Sequence, residues 1–418
     1  MERAKAAKKR RRVARDDTVE ASWQQIKCKD LLNPNQVTIL PYTGTRKSFL
    51  FVGSPDLQKL LWHVLSLERE QELLVVGPKG TGKSCRLRAI ANMFYAHGPA
   101  KSVIVCVWNM EKARAPLWLL DGLRFAYSGA DEHKPVRDAV HKMEEEMEED
   151  GDFSGSGNIG KWMERLRKFL KERAAAGDDF TFIADGEQAL DIRGIERPGA
   201  RELENTFLTL KAIVEPYKVV WGVSPTAHQA VAANLSYSEG VVIYRVRGFT
   251  KEQREVFLLH SVLGAVVTGH KQRTKDVDFY AGFHPQFLDV LDEACMEIAR
   301  IKQLGGCEPG IEWGDGNDFR LAPPAELEPK EVAILLEDEE DWHRVLLHFI
   351  NGRTMSSIRN TVESIVKRLD STTTTCDFHL RSEIICQDPR YALLEDKFCS
   401  PFVEQIYVEE FRKARSCC

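Results

Sequence analysis

Residues Glu72 to Ile90 read ELLVVGPKGTGKSCRLRAI: apolar residues, a glycine-rich turn, then a run with helical spacing. Leu73 to Val76 has the length and composition of a short buried strand. Behind the turn, Leu87, Ile90, Ala91 and Phe94 recur at i, i+3, i+4 and i+7, which is one face of a helix. Between them Gly77, Gly82, Lys83 and Ser84 satisfy the G-x-x-x-x-G-K-[ST] phosphate-loop pattern without a mismatch. Glycines at 77, 80 and 82 let the backbone close on a triphosphate with its N–H groups pointing inward, and the helix N-terminus adds partial positive charge. In this reading Gly77, Gly80, Thr81, Gly82, Lys83, Ser84 and Cys85 line the nucleotide. Lys83 reaches the β- and γ-phosphates, and the Ser84 hydroxyl ligates Mg2+. The plain alternative is a glycine-rich turn joining two core elements.

Upstream, FVGSPDLQKLLWHVLSL offers Ser54 as a helix cap and Pro55 in the first turn, with Leu57, Leu60, Leu61, Val64 and Leu65 on one face. Downstream, Val103 to Trp108 is a near-continuous apolar run, as expected for a parallel strand covered on both faces. ARAPLWLLDGLRFAY reads as a helix. The stretch 128–160 is polar, acidic and glycine-rich, and reads as an insertion or mobile loop. Trp162, Leu166 and Phe169 then mark an amphipathic helix.

In DDFTFIADGEQAL, Phe180 to Ala184 form an apolar strand that ends in Asp185, the form of a Walker B strand whose carboxylate holds the magnesium shell. Glu187 is placed to polarise the attacking water as a general base. Gly186 stands where the catalytic carboxylate commonly follows. The base is therefore Glu187, a carboxylate from elsewhere, or absent, in which case turnover is slow. An ordinary strand end is the bland reading of both acids.

A helix follows around Leu203, Phe207, Leu210 and Val214, then YKVVWGVSPTAHQA. Val219 to Val223 is expected to lie between the two motif strands. Ser224 sits at its end, either contacting the γ-phosphate or attacking water, or simply capping the strand. GVVIYRVRGFTKEQREVF supplies a fifth strand and a capping box, Thr250 with Gln253. Arg245 and Arg247 at that strand's end contact nucleotide or a neighbouring subunit, or are surface arginines. Five strands alternating with helices predict an α/β fold, a P-loop NTPase with a five-stranded parallel sheet flanked by helices. The nucleotide then belongs at the strands' carboxyl ends.

With these segments in order, the chain resembles an AAA+/STAND-type P-loop ATPase. More narrowly, FTFIADGEQALD, VVWGVSPTAHQ and VRGFTKEQREVF resemble the ATPase module of Crinkler and retrotransposon-hot-spot proteins. In AGFHPQFLDVL, Gly282 and Pro285 resemble the Gly-x-Pro lid signature of STAND ATPases, with one extra residue. The resemblance covers roughly residues 45 to 300. It implies a nucleotide-driven module, often nuclear, sometimes joined to an effector domain. Crinkler effectors usually carry a secretion or translocation header, where this chain has a basic head.

The 418 residues are long enough for two or three domains, and 43% hydrophobic with 29% charged residues is the balance of a soluble globular chain. No apolar run has the length of a membrane span. The basic N-terminus has no apolar stretch behind it, so a secretory signal is not expected. The ten cysteines form no dense framework and read as reduced thiols. A net charge of -5 hides an asymmetry: Lys8, Lys9, Arg10, Arg11 and Arg12 form a basic block, while MEEEMEEDGD is an acidic run read as a solvated helix face or loop rather than a metal site. The block has the composition of a nuclear localisation signal, or of an arm touching nucleic-acid phosphates. A solvated tail is the bland alternative. The expected place is the nucleus, the host-cell nucleus if the protein is an effector, and otherwise the cytoplasm.

The expected organisation is a basic tail over 1–20, a P-loop core over 45–250, a helical lid over 251–306, a Pro- and Gly-rich linker over 307–330 and a mainly helical region over 331–418. WHRVLLHFINGRTMSSIRNTVESIVKRL reads as two amphipathic helices joined at Asn351-Gly352. Cys376, His379, Cys386 and Cys399 have no strong zinc spacing, and Asp388, Glu395 and Lys397 only faintly match a metal-dependent nuclease. Packing and solvated surface account for both sets.

The resulting expectation is a protein that takes ATP and Mg2+ as cofactors and works as a hydrolysing switch or assembly module, with ATP and a second copy of itself as partners. The basic tail adds nucleic acid, and no membrane is expected. One alternative is a DNA-associated ATPase of the replication-initiator type. Another is a scaffold that binds nucleotide with little turnover.

Overall fold

The computed structural model describes residues 28–41, 48–77, 80–97, 101–108, 115–127, 133–149, 156–185, 210–223, 241–246, 248–303, 327–352, 354–356, 358–360, 392–393, 397–398 and 400–416. The chain divides into two compact units, residues 1–77 with 83–246, and residues 78–82 with 247–418.

In the first unit, helix α1 (Cys28–Leu32) and the antiparallel pair β1 (Val37–Pro41) and β2 (Ser48–Val52) precede helix α2 (Pro55–Leu65). The sheet strands are β3 (Glu72–Val76), β4 (Ser102–Trp108), β5 (Asp179–Asp185), β6 (Lys218–Val223) and β7 (Val241–Arg245). Their order is β4-β5-β6-β3-β7, and every pairing is parallel. The strand between the two motif strands is β6, as the sequence predicts. The helices are α3 (Lys83–His97), α4 (Ala115–Ala126), α5 (Lys134–Glu149) and α6 (Ser156–Ala175), with a further helical turn at 210–214.

All five residues of β3 are buried, because successive side chains enter opposite cores. Leu74 and Val76 join Val105, Phe182 and Trp221 under helices α4 to α6. Leu73 and Val75 join Ile183 and Val220 under α2 and α3. Each such aliphatic side chain stabilises the fold by about 1.5–3 kcal/mol, so the two-sided core fixes strand register.

Within 128–160 the mobile-loop reading does not hold for residues 134–149, which form α5. Val140, Met143 and Met147 are buried in the core beneath it. Their spacing is helical, but the surrounding glutamates dominate the composition and mask the period. Cys85, Cys106 and Cys295 are free thiols. No helix among the described residues is long and apolar enough to cross a membrane.

The second unit contains α7 (Lys251–His260), α8 (Val262–Val267), α9 (Lys271–Tyr280), α10 (Pro285–Gln303), α11 (Pro329–Leu335) and α12 (Glu339–Asn351). It also holds the short antiparallel pair β8 (Ala392–Leu393) and β9 (Lys397–Phe398), and α13 (Pro401–Ser416). The Thr250–Gln253 capping box opens α7, with Gln253 N–H donating to Thr250 Oγ1 at 3.2 Å and Thr250 N–H to Gln253 Oε1 at 3.0 Å. Asp292 accepts from Leu263 N–H at 2.6 Å, so a carboxylate of α10 satisfies a first-turn N–H of α8. A Cβ on Gly264 would stand 1.4 Å from the Leu258 carbonyl oxygen, so only glycine permits the approach of α8 to α7. Helix α12 ends at Asn351 and is capped by Gly352, with helical residues resuming at 354, near the predicted Asn351-Gly352 joint.

Helices α11 and α12 pack on α8 and α10. One residue joins the groups: Arg273 of α9 is 1% exposed. It donates to the carbonyl oxygens of Leu336 at 2.8 Å, Glu337 at 2.6 Å and Asp338 at 3.2 Å. Its guanidinium also lies over the Trp342 ring, 5.7 Å from the centroid. Trp342 Nε1–H in turn donates to Asp276 at 2.9 Å.

Candidate functional site

Parallel register sets the site's frame. Val76 pairs with Val223, and Asp185 pairs with Gly222, so β3, β5 and β6 end together. The phosphate loop leaves β3 at Gly77. Asp185 stands two strand spacings away, about 10 Å across the sheet, a gap suited to phosphates and a hydrated cation.

Within the loop, Gly80 has φ 78° and Gly82 has φ 90°, the left-handed region that side chains disfavour. Thr81 is buried at 2% exposure. Lys83 is 3% exposed, and its Nζ donates to the Gly77 carbonyl at 2.6 Å, which folds the side chain back along the loop. Ser84 and Cys85, in the first turn of α3, are half-buried. One turn further, burial lowers the basicity of Arg86, while Tyr244 and Asp56 act in the opposite direction. The Tyr244 hydroxyl donates to the Asp56 carbonyl at 2.8 Å.

Asp185 is 8% exposed at the end of β5. Ile183 lies in the core under α3, so Asp185, two residues on, shares that face. On β6, Val220 and Gly222 do the same. The face is therefore that of the helix carrying Lys83 and Ser84. A Cβ built on Gly222 would stand 2.9 Å from Asp185 Oδ1 and 2.8 Å from Leu87 Cδ1. Leu87 is one helical turn beyond Ser84, so the Ser84 face of α3 and the Asp185 carboxylate meet over β6. One hydroxyl and one carboxylate are a donor set suited to Mg2+, which keeps waters and phosphate oxygens for its remaining positions. Among the described residues, no cluster of three or more His, Cys, Asp or Glu side chains forms an all-protein metal cage.

Within the second unit, the loop tip meets the start of α10. Gln286 N–H donates to the Gly80 carbonyl at 3.2 Å. A Cβ on Gly80 would stand 2.3 Å from Gln286 Oε1 and 2.5 Å from His284 Cε1. Gly282, at φ 56°, lies at the turn between α9 and α10, and Pro285 opens α10.

Glu187, Ser224 and Arg247 lie outside the described residues, as do Cys376, His379, Cys386, Asp388, Glu395 and Cys399. Arg245 is exposed at the end of β7. Sequence reasoning passed over Gly222 and Gln286. A glycine inside the apolar run KVVWGV is a signal for close approach. Gln286 carries no comparable signal, because its partner is remote in sequence.

No protein-family model and no curated protein matches the chain. Among solved structures it is similar to a Walker-type ATPase of Pyrococcus abyssi, at 14% identity and TM-score 0.38, over 85% of this chain and 95% of that one. It is also similar to domain III of the Thermotoga maritima replication initiation protein DnaA, at 15% identity and TM-score 0.31, over 68% and 89% of the two chains. A chain of Drosophila ORC bound to DNA gives 13% identity and TM-score 0.31, over 87% and 84%. At these values the likeness adds nothing to the strand order and phosphate loop, and it is on those features that the chain has the α/β fold of a P-loop NTPase.

Proposed function

We propose that this chain is a magnesium-dependent ATP-binding module that hydrolyses ATP and works as a conformational or assembly switch. The observation that carries the reading is the phosphate loop on β3 with Lys83 folded along it and Asp185 facing the same helix across β6. Loop N–H groups and Lys83 hold the phosphates, and Ser84 and Asp185 hold the metal. Bound Mg2+ supplies charge neutralisation at the β- and γ-oxygens. Glu187 takes the proton of the attacking water, and Ser224 orients that water or the γ-phosphate. The absence of an Asn-Lys-x-Asp element favours adenine over guanine.

The finer reading is a STAND-type, Crinkler-like module with a helical lid over 251–306, acting as a homo-oligomer in the nucleus. The quoted sequence segments and the basic block Lys8–Arg12 support it. The same basic block favours a second reading, a DNA-associated ATPase of the replication-initiator type, in which tail lysines and arginines displace counterions from DNA.

Steady-state ATP hydrolysis with parallel binding measurements tests the proposal. Glu187→Gln is expected to lower turnover at least about 100-fold, the usual contribution of a general base, while ATP binding stays intact. Tight binding with no turnover in the wild type would leave a nucleotide-gated scaffold, the outcome that Gly186 between Asp185 and Glu187 keeps open. Turnover equal in wild type and variant would remove Glu187 as the base.

A further inference from the structure

Gly222 interrupts a β-branched, apolar strand, where glycine weakens both packing and backbone order. Its surroundings supply a reason for it. It pairs with Asp185 in the parallel ladder. The place a Cβ would take is 2.9 Å from Asp185 Oδ1, 2.8 Å from Leu87 Cδ1 and 3.6 Å from the Ala184 carbonyl oxygen. Real Cβ atoms do not come within 3.0 Å of such neighbours, so any side chain here must move the carboxylate, the leucine or both. The Asp185 carboxylate is the end of a side chain that can turn, so it yields by rotating out of its place. Leu87 belongs to a buried stretch of α3, where its side chain has less room to turn.

We propose that Gly222 is the positioning residue for the metal-holding carboxylate: its bare Cα lets Asp185 lie over β6 against the first turns of α3. This rests on the reading of Asp185 as the magnesium residue. Glycine acts here through space it leaves empty. Gly222→Ala changes neither Lys83 nor the loop N–H groups and displaces the carboxylate, Leu87 or both, and the Leu87→Val background isolates the carboxylate's share. The variant should therefore separate metal dependence from nucleotide binding, which a general packing defect would not do.

The test is calorimetric titration of ATP into the full chain, with Mg2+ and with EDTA, for wild type, Gly222→Ala, Leu87→Val and the double variant, with thermal melts alongside. Leu87→Val removes the δ-carbons and so the nearer clash, leaving Asp185 Oδ1 as the remaining one. The expected result is that Gly222→Ala keeps its metal-free affinity within about threefold and loses about tenfold or more of the tightening that Mg2+ gives the wild type. The double variant should melt closer to wild type yet keep the metal defect. If Gly222→Ala alone does not fold, the double variant carries the comparison.

A wild-type metal response retained in Gly222→Ala, or restored in the double variant, overturns the inference, because the glycine would then matter only for packing. A wild type that binds ATP without any response to Mg2+ overturns the role of Asp185 and the inference with it. A wild type that binds no ATP overturns the proposed function itself, a result distinct from either.

Discussion

Replacing Lys83 by Ala should lower ATP affinity about 100-fold, with little change in the melting transition. Lys83 is 3% exposed and its ammonium group is already bonded to the Gly77 carbonyl at 2.6 Å, so it is held along the loop and loses little freedom when phosphate arrives. Charge-assisted bonds to phosphate are roughly twice as strong as neutral ones, and removing about 3 kcal/mol corresponds to about two decades in affinity. Lys83→Arg should fail nearly as badly, because a planar fork does not fit where a compact, rotatable ammonium is folded back. Calorimetric titration decides the matter. An affinity within about threefold of wild type in Lys83→Ala would mean the loop does not hold phosphate through this residue.

Arg273→Ala should destabilise the second unit by about 3 kcal/mol, seen as a fall of roughly 6–12 °C in its melting transition. The side chain is 1% exposed and supplies donors to three carbonyl oxygens at the end of α11 and start of α12. Its removal leaves the buried Leu336 carbonyl without that donor, opens a cavity beside Trp342, and unties α9 from α11 and α12. Arg273→Lys should recover little, since one ammonium cannot span three acceptors in the geometry of a guanidinium. Urea unfolding of the full chain, followed by tryptophan fluorescence and circular dichroism together, reads the loss. A change below about 1 kcal/mol would show that apolar packing of α8 and α10 against α11 and α12 is sufficient alone.

Local signals carried much of the fold. The G-x-x-x-x-G-K-[ST] spacing, the apolar runs of β3 and β5 and the Thr250–Gln253 cap each depend on residues within a few positions of one another. Such features survive in a linear reading because the physics that produces them is short-range. The run around Met143 shows where this fails. Three buried residues pack α5 into the core, yet the acidic majority around them reads as a solvated helix face or loop. Composition averages over a face that burial picks out.

The sequence by itself determined the motif strands, the phosphate loop, the carboxylate at the end of β5 and a strand between them, since each follows from periodicity, glycine placement and alternation of elements. Only the tertiary structure decided that Gly222 lies against both Asp185 and Leu87, that the start of α10 meets Gly80, and that Arg273 joins three helices through carbonyls more than sixty residues away. These are contacts between residues remote in the chain. Their geometry is set by strand register and helix packing, long-range quantities that no local pattern of residue types encodes.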